Sequence, residues 1–306
     1  QSKDRLPMIV SRMDGGLGNQ MFQYAFGLYL AQRHHTQLWL DISSYDQGPQ
    51  HGYLLDRFQI ESYALPERLM SRVPRRYRKG RASWIDRLAD TFQLGNLARY
   101  KQTRFGFETE SLQVPDNRYL VGYWQSEKYF PGLSDALLQH FQFRDPAGEE
   151  SHRIADKILS SNSAAVHVRR GDYLKGAAAS LYQNLDLGYY RSRLEDWAAS
   201  KSDVQVFVFS NDMEWCRKNL HLPWPVHWVD HNGTDTAHED VWLMSQAACN
   251  VIANSTLSWW AAWLNRRSDR VVYAPPVWFR KESMDEEHLL PREWIRQIDP
   301  QKAAAA

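Results

Sequence analysis

Apolar and polar positions along the chain follow two rhythms, and the switches between them mark out elements. Met8 to Arg12 reads as a strand, and the loop Asp14-Gly15-Gly16-Leu17-Gly18-Asn19-Gln20 follows it. From about Met21, the apolar residues Phe22, Ala25, Phe26, Tyr29 and Leu30 recur at helical spacing. Gln37 to Asp41 is the next strand. Strand, glycine-rich turn, helix and strand form a βαβ opening, which predicts a parallel sheet. Residues 42–118 are broken by Pro66, Pro74 and Pro115 and carry no clear rhythm. Tyr119 to Tyr123 predicts another strand, and Ser134 to Phe141 predicts a helix. The turn-rich Arg144-Asp145-Pro146-Ala147-Gly148 is the candidate linker.

Beyond the linker, strands are expected at Ala164–Val168, Val204–Ser210, Val226–Val229, Asn250–Ala253 and Val271–Ala274. Helices are expected at Tyr189–Ala199, Met213–Asn219, Glu239–Ala248 and Leu257–Leu264. Short strands rich in valine are the mark of a parallel sheet buried on both faces. The expected fold is therefore α/β, with two units, 1–150 and 151–302, and a cleft between them. The closing alanines 303–306 read as an appended tail and are left out of the fold.

Composition narrows the class. The chain has 306 residues, 43% hydrophobic and 24% charged, which fits two ordinary globular domains. A formal net charge of +1 argues against a protein dominated by nucleic-acid binding. The 13 Trp and 15 Tyr serve cores, and such rings also stack on sugars and bases. Cys216 and Cys249 lie in apolar contexts and form neither a disulfide framework nor a CxxC pair. No run of 18 apolar residues is present, and Gln1 to Pro7 lacks the apolar stretch of a signal peptide. A cytoplasmic setting is expected. Arg72, Arg75, Arg76, Arg78, Lys79 and Arg81 crowd together. They form either a solvated face or a patch for peripheral contact with an anionic inner-membrane surface or a lipid-linked acceptor.

Four polar clusters fall at predicted strand ends, where open α/β sheets bind ligands. They are Gly15–Gln20, His167-Val168-Arg169-Arg170-Gly171-Asp172-Tyr173, Ser210-Asn211-Asp212 and Asn254-Ser255-Thr256. Neighbouring side chains on a strand point to opposite faces, so Arg169 and Arg170 have different jobs. One faces a ligand and the other braces the site. A guanidinium suits a phosphate because its fork donates two parallel bonds and keeps its charge. Each cluster alone has a plainer reading. The arginines can be a surface pair, Arg-Gly-Asp an adhesion tripeptide, Ser-Asn-Asp a helix N-cap and Asn-Ser-Thr a glycosylation acceptor. All four together point to an anionic, nucleotide-like ligand held partly at helix N-termini. The first loop is not GxGxxG in register, and the chain has no GxxxxGK[ST], HExxH or Asp-x-Asp. A metal bridging a diphosphate through paired carboxylates is not expected. Cationic side chains and backbone N–H groups would take its place.

Three segments carry a resemblance. Gly15-Gly16-Leu17-Gly18-Asn19-Gln20-Met21-Phe22-Gln23-Tyr24, the His167–Tyr173 run and Asn254-Ser255-Thr256-Leu257-Ser258-Trp259-Trp260 resemble the signatures of α-1,2-fucosyltransferases, glycosyltransferase family 11. Gly122-Tyr123-Trp124-Gln125-Ser126-Glu127-Lys128-Tyr129-Phe130 is also similar to the family pattern. The resemblance implies a GT-B-like fold of two Rossmann-like domains facing a central cleft, and inverting, metal-independent transfer of L-fucose from GDP-β-L-fucose to the 2-hydroxyl of a terminal β-galactoside. It implies no cofactor. Arg169 would meet the β-phosphate, with Arg170 shaping the site. His167 and Asp240 would contact guanine, while Ser255 and Thr256 would add phosphate contacts. Gly16, Gly18, Asn19, Gln20, Ser210, Asn211, Asp212 and Asn254 complete the expected donor-binding set.

Asp172 is the candidate base, its alternative role being a salt bridge or turn cap, and Asp14 is the second candidate. Trp124, Gln125, Ser126, His51 and Tyr53 border the expected acceptor side, with stacking on galactose or buried packing both open for Trp124. Trp259 and Trp260 are expected in the core. Rival readings are a GDP-sugar hydrolase or a non-catalytic GDP-sugar-binding protein, a carbohydrate-binding or adhesion module, and a nucleic-acid binder using the Arg72–Arg81 run.

Overall fold

The computed structural model describes residues 7–47, 52–74, 97–174, 176–280 and 284–296. The chain divides into two compact units. The first runs to Arg144 and takes in Glu287–Leu289, and the second holds the rest from Asp145 onward.

The first unit is built on five parallel strands in the order β3-β2-β1-β5-β4. These are β1 (Met8–Arg12), β2 (Gln37–Asp41), β3 (Tyr63–Ala64), β4 (Ala98–Lys101) and β5 (Arg118–Val121). The helix Leu17–Arg33 carries the chain from β1 to β2 and buries Met21, Phe22, Ala25, Phe26 and Leu30. It starts four residues earlier than its apolar rhythm alone indicates, so Gly18, Asn19 and Gln20 lie inside its first turn. Gly16 is its N-cap. The loop is therefore a tight turn whose one left-handed residue is Gly15, at φ +80. A Cβ there would meet Asn19 Nδ2 at 2.6 Å, so the position favours glycine, first for its backbone and then for space.

The second unit has six parallel strands in the order β11-β10-β9-β6-β7-β8. They are β6 (Asn162–Val168), β7 (Val204–Ser210), β8 (Val226–Val229), β9 (Cys249–Val251), β10 (Val271–Ala274) and β11 (Ile295–Arg296). Numbered within the unit, this is the doubly wound 6-5-4-1-2-3 order of a Rossmann sheet. Its core sets Val166, Val168, Val206, Val208 and Val251 against Tyr190, Leu194 and Trp197. The valine-rich strands thus pack as a sheet covered on both faces. Cys216 and Cys249 are buried free thiols, and burial raises both of their pKa values. Trp259 and Trp260 are fully buried in the helix Thr256–Leu264, as expected.

The elements that the sequence pattern missed are edge or amphipathic ones. β3 and β11 are two residues long, and β4 alternates half-buried and exposed positions that include Arg99 and Lys101. Short, charged edge strands resist pairing with other chains, and the same features hide them from an apolar-run search. The helix Glu149–Leu159 follows the linker directly. It buries Ile154, Ala155 and Ile158 on one face and carries Glu149 and Glu150 at its positive end. Of the Arg72–Arg81 cluster, only Arg72 falls among the described residues, and it donates to Asn117 Oδ1 at 3.2 Å. No helix among the described residues is long and apolar enough to cross a membrane.

Trp124 decides between the two roles left open for it. It is fully buried, so its face is closed to a sugar. Its ring sits 4.3 Å from that of Phe26 and is stacked at 5.9 Å on Tyr100, and its backbone is left-handed at φ +54. Gly122 makes room for it, since a Cβ there would approach the indole to 2.7 Å. The structure takes up the packing alternative. Trp124→Ala is expected to cost about 3–5 kcal/mol, read as a lower urea midpoint with an unchanged m-value.

Candidate functional site

In the second sheet, sequence-adjacent connections part company between β6 and β9. Loops leaving the carboxyl ends of strands at such a switch point enclose the ligand site of doubly wound sheets. The chain puts Arg169–Tyr173 after β6 and Asn254–Thr256 after β9, so two of the sequence-derived clusters meet at this place. Ser210–Asp212 follows β7, the neighbour of β6 on its other side.

The turn after β6 is held by side chains. Asn211 Oδ1 accepts from the backbone N–H of Arg170 at 2.9 Å and of Gly171 at 3.3 Å. A Cβ on Gly171 would lie 3.3 Å from Asn211 Nδ2, so the close approach favours glycine. Tyr173 donates its hydroxyl to the Asn254 carbonyl at 2.8 Å and stacks on Tyr182 at 4.3 Å. This ties the β6 turn to the start of the helix Thr256–Leu264.

The two arginines have different surroundings. Arg170 lies 4.1 Å over the Trp215 ring and pairs with Asp212 at 3.6 Å. Arg169 is half-buried, its guanidinium 5.7 Å over the ring of Tyr173, the residue whose hydroxyl reaches the Asn254 carbonyl. Arg170 therefore braces the flank, while Arg169 lies over the tyrosine that reaches the helix start. That helix begins at Ser255, which is nearly buried and gives its own N-terminus no side-chain cap. Its first N–H groups and dipole favour an anion.

Other expected donor-binding residues are engaged with protein. His167 is buried, its Nδ1 2.9 Å from Ser258 Oγ, and so it fastens β6 to the same helix. Asn254 donates its amide to the carbonyls of Gln183 at 2.7 Å and Trp278 at 2.9 Å. Ser210 Oγ accepts from the Asp212 N–H at 3.0 Å, and Asp212 caps the helix Met213–Asn219 through Trp215 N. These side chains build the site's walls. Thr256 is half-buried at the helix start. Asp172 lies in the turn Gly171–Leu174, and its side chain is outside the described atoms.

Asp240 sits in the first turns of the helix Ala237–Ser245, which follows β8. The residue is half-buried, and protein encloses most of its carboxyl group. Burial, with a smaller push from neighbouring Glu239, raises its pKa to about 7 against a hydrogen bond from Asn232 Nδ2 at 2.8 Å. Sequence reasoning passed over Asn232. Its only signal was a polar residue beside Gly233 just beyond a strand end.

In the first unit, the residues of the glycine-rich turn also serve the fold. Gln20 is fully buried and donates to the carbonyls of Gly15 at 3.1 Å and Gly52 at 2.9 Å, while accepting from Leu54 N at 2.9 Å. Asn19 Oδ1 accepts from Gln125 Nε2 at 2.9 Å. Gln23 joins Asp14 N to the Gly122 carbonyl, linking the ends of β1 and β5. Ser126, also fully buried, donates to the His288 carbonyl, and Lys128 Nζ lies 2.8 Å from His288 Nδ1. Tyr53 is half-buried, Asp14 is exposed and His51 lies outside the described residues. Among the described residues, no group of three or more His, Cys, Asp or Glu is placed to hold a metal ion.

Known proteins match this chain along nearly its whole length. The family model for glycosyl transferase family 11 matches residues 3–297. An α-1,2-colitosyltransferase of Escherichia coli is 30% identical over 304 residues, covering 95% of this chain and 99% of the relative. Galactoside α-(1,2)-fucosyltransferase 1 of Sus scrofa is 26% identical, covering 92% and 73%. Among solved structures, the fucosyltransferase NodZ from Bradyrhizobium superposes with a TM-score of 0.51 at 17% identity, covering 85% of this chain and 93% of that one. POFUT1 in complex with GDP-fucose gives a TM-score of 0.51 at 12% identity, covering 89% and 98%. The structural likeness is one of fold, the GT-B-like pair of α/β units. The family match over almost the entire chain, on a fold shared with fucosyltransferases, makes this protein a member of glycosyl transferase family 11 and a glycosyltransferase.

Proposed function

We propose that the protein transfers L-fucose from GDP-β-L-fucose to the 2-hydroxyl of a terminal β-galactoside, with inversion and without a divalent metal. The α-1,2 linkage is the one printed in the names of both the colitosyl and the fucosyl relatives. The observation that carries the reading is Arg169. Its guanidinium lies over Tyr173, whose hydroxyl is fixed to Asn254 at the uncapped start of the helix Thr256–Leu264. A cation beside a helix N-terminus is suited to a diphosphate. Asp240 is suited to guanine, since a carboxylate accepts from N1–H and N2–H₂ together.

The mechanism follows from where charge develops. In-line displacement at the anomeric carbon puts negative charge on the departing GDP and positive character on the sugar. A group that meets the growing diphosphate charge binds the transition state more strongly than the ground state, and that difference lowers the barrier. Arg169 has this role in the proposal, with the helix N–H groups beside it. Asp172 takes the proton from the galactose hydroxyl. The absence of Asp-x-Asp from the sequence supports a metal-free leaving-group strategy. A second reading concerns the sugar alone. The colitosyl relative, at 30% identity, favours colitose as the group transferred.

One assay tests donor, acceptor and metal together. GDP-fucose and GDP-colitose are each offered with lactose and other β-galactosides, with and without EDTA, and both GDP release and glycan product are measured. The expected result is an α-1,2-fucosylated galactoside at a rate that EDTA leaves unchanged. Product from GDP-colitose alone would move the assignment to the second reading, and GDP release without glycan would make the protein a hydrolase.

Arg169→Lys is expected to lose on the order of 10²–10³ in kcat, because an ammonium cannot reproduce the two-pronged donation. Steady-state kinetics with near-normal turnover would remove Arg169 from the leaving-group role.

The Asp240 carboxyl, with its pKa raised to about 7, gives a pH signature. The ionised form is the acceptor, so guanosine affinity is expected to climb as pH rises through about 7 and then level off. Guanosine is the probe because it carries no titrating phosphate. Asp240→Asn should flatten the profile. The linkage to folding has the opposite sense. With its folded pKa raised, this group favours the native state at low pH, and the contribution fades as pH climbs through the folded value.

A further inference from the structure

Asp240 is carried on one element and steadied from another. A free carboxylate in a first helical turn turns about two torsions and presents its lone pairs in many directions. Here the Asn232 amide, on the loop after β8, donates to Asp240 Oδ1 at 2.8 Å. The loop is itself pinned. Gly233 N donates to Thr236 Oγ1 at 2.8 Å, and next to Asn232 the His231 ring meets Ser151 Oγ at 2.8 Å. The neighbouring acid is occupied elsewhere. Glu239 Oε2 accepts from Gly148 N at 3.1 Å, at the start of the helix Glu149–Leu159. Of the two adjacent carboxylates, one accepts from the N–H that precedes a helix, and the other is held at Oδ1 by the Asn232 amide.

We propose that Asn232 is a positioning residue for the nucleobase: by holding Oδ1 of Asp240, its amide aims the remaining carboxylate lone pairs at the two adjacent donors of guanine, N1–H and N2–H₂. The inference rests on the reading of this unit as a GDP-sugar site. One amide hydrogen occupies one lone pair of Oδ1, which leaves a second on that atom and two on Oδ2. That number is enough for both guanine donors. A base that presents an acceptor at N1, as adenine does, would face the carboxylate lone pair to lone pair. A base lacking the exocyclic amine, as hypoxanthine does, leaves one lone pair unused. Asn232 therefore sets base selectivity without touching the base.

The test compares GDP with IDP, which differ only in the N2 amine, by calorimetric titration of the intact protein. The wild type is expected to prefer GDP by about tenfold or more, the value of one hydrogen bond to a charged group. Asn232→Ala is expected to bring the GDP-to-IDP ratio close to one, as Asp240→Asn does. The double variant should be no worse than Asp240→Asn, because the two side chains act as one unit. Thermal unfolding checks that each variant folds, and Asn232→Ser serves in place of an alanine variant that does not. A full GDP preference in folded Asn232→Ala, with the preference lost in Asp240→Asn, overturns the positioning role and leaves the guanine reading standing. Equal binding of GDP and IDP by the wild type, or an unchanged ratio in Asp240→Asn, overturns the guanine reading and this inference with it.

Discussion

The turn after β6 lies where the strand order reverses, with β9 on one side and β7 on the other, and it continues beyond the strand's last residue, Val168. Two side chains supply what the sheet does not. The Asn211 amide oxygen gathers the N–H groups of Arg170 and Gly171, and the Tyr173 hydroxyl reaches the Asn254 carbonyl. Everything that distinguishes the site is downstream of these bonds. They fix the backbone on which both arginines stand, and they join that backbone to a helix start. A guanidinium is useful for charge stabilisation only when its direction is set before the charge appears.

The surrounding polar residues follow the same economy. Arg170 is spread over Trp215 and drawn to Asp212, while Asp212 also caps the helix that carries Trp215. His167 ties β6 to the helix Thr256–Leu264 through Ser258. Residues that resemble ligands in a motif thus spend their hydrogen bonds on one another. A rigid wall of satisfied polar groups leaves fewer side chains to reorganise when charge moves, which is the meaning of preorganisation.

Much of this was legible in the sequence because burial writes itself into residue choice. The valine-rich strands of the second sheet, the helix Met213–Asn219 and the double tryptophan at 259–260 are all apolar where the structure is closed, and all stood out. The motifs at strand ends were legible for a different reason, since a glycine beside charged residues marks a backbone that must turn sharply. What stayed hidden was whatever depended on partners distant in sequence. Gln20 and Asn19 look like loop ligands until Leu54, Gly52 and Gln125 appear beside them. Trp124 stays open between sugar platform and core until Phe26 and Tyr100 close over it. Asn232 had no motif of its own, because its meaning lies in a carboxylate eight positions away on another element.

The short return of Glu287–Leu289 to the first unit carries a consequence for biosynthesis. Ser126 donates to the carbonyl of His288, and Lys128 meets its ring, across about half the length of the polypeptide. A nascent chain leaving the ribosome holds Ser126 long before His288 exists. The amino-terminal unit can collapse early, but this buried hydroxyl gains its acceptor only after 162 further residues have been made. Completion of the earlier unit is thereby tied to the appearance of the later one, so a stalled or clipped polypeptide carries an unfinished surface open to cellular quality control.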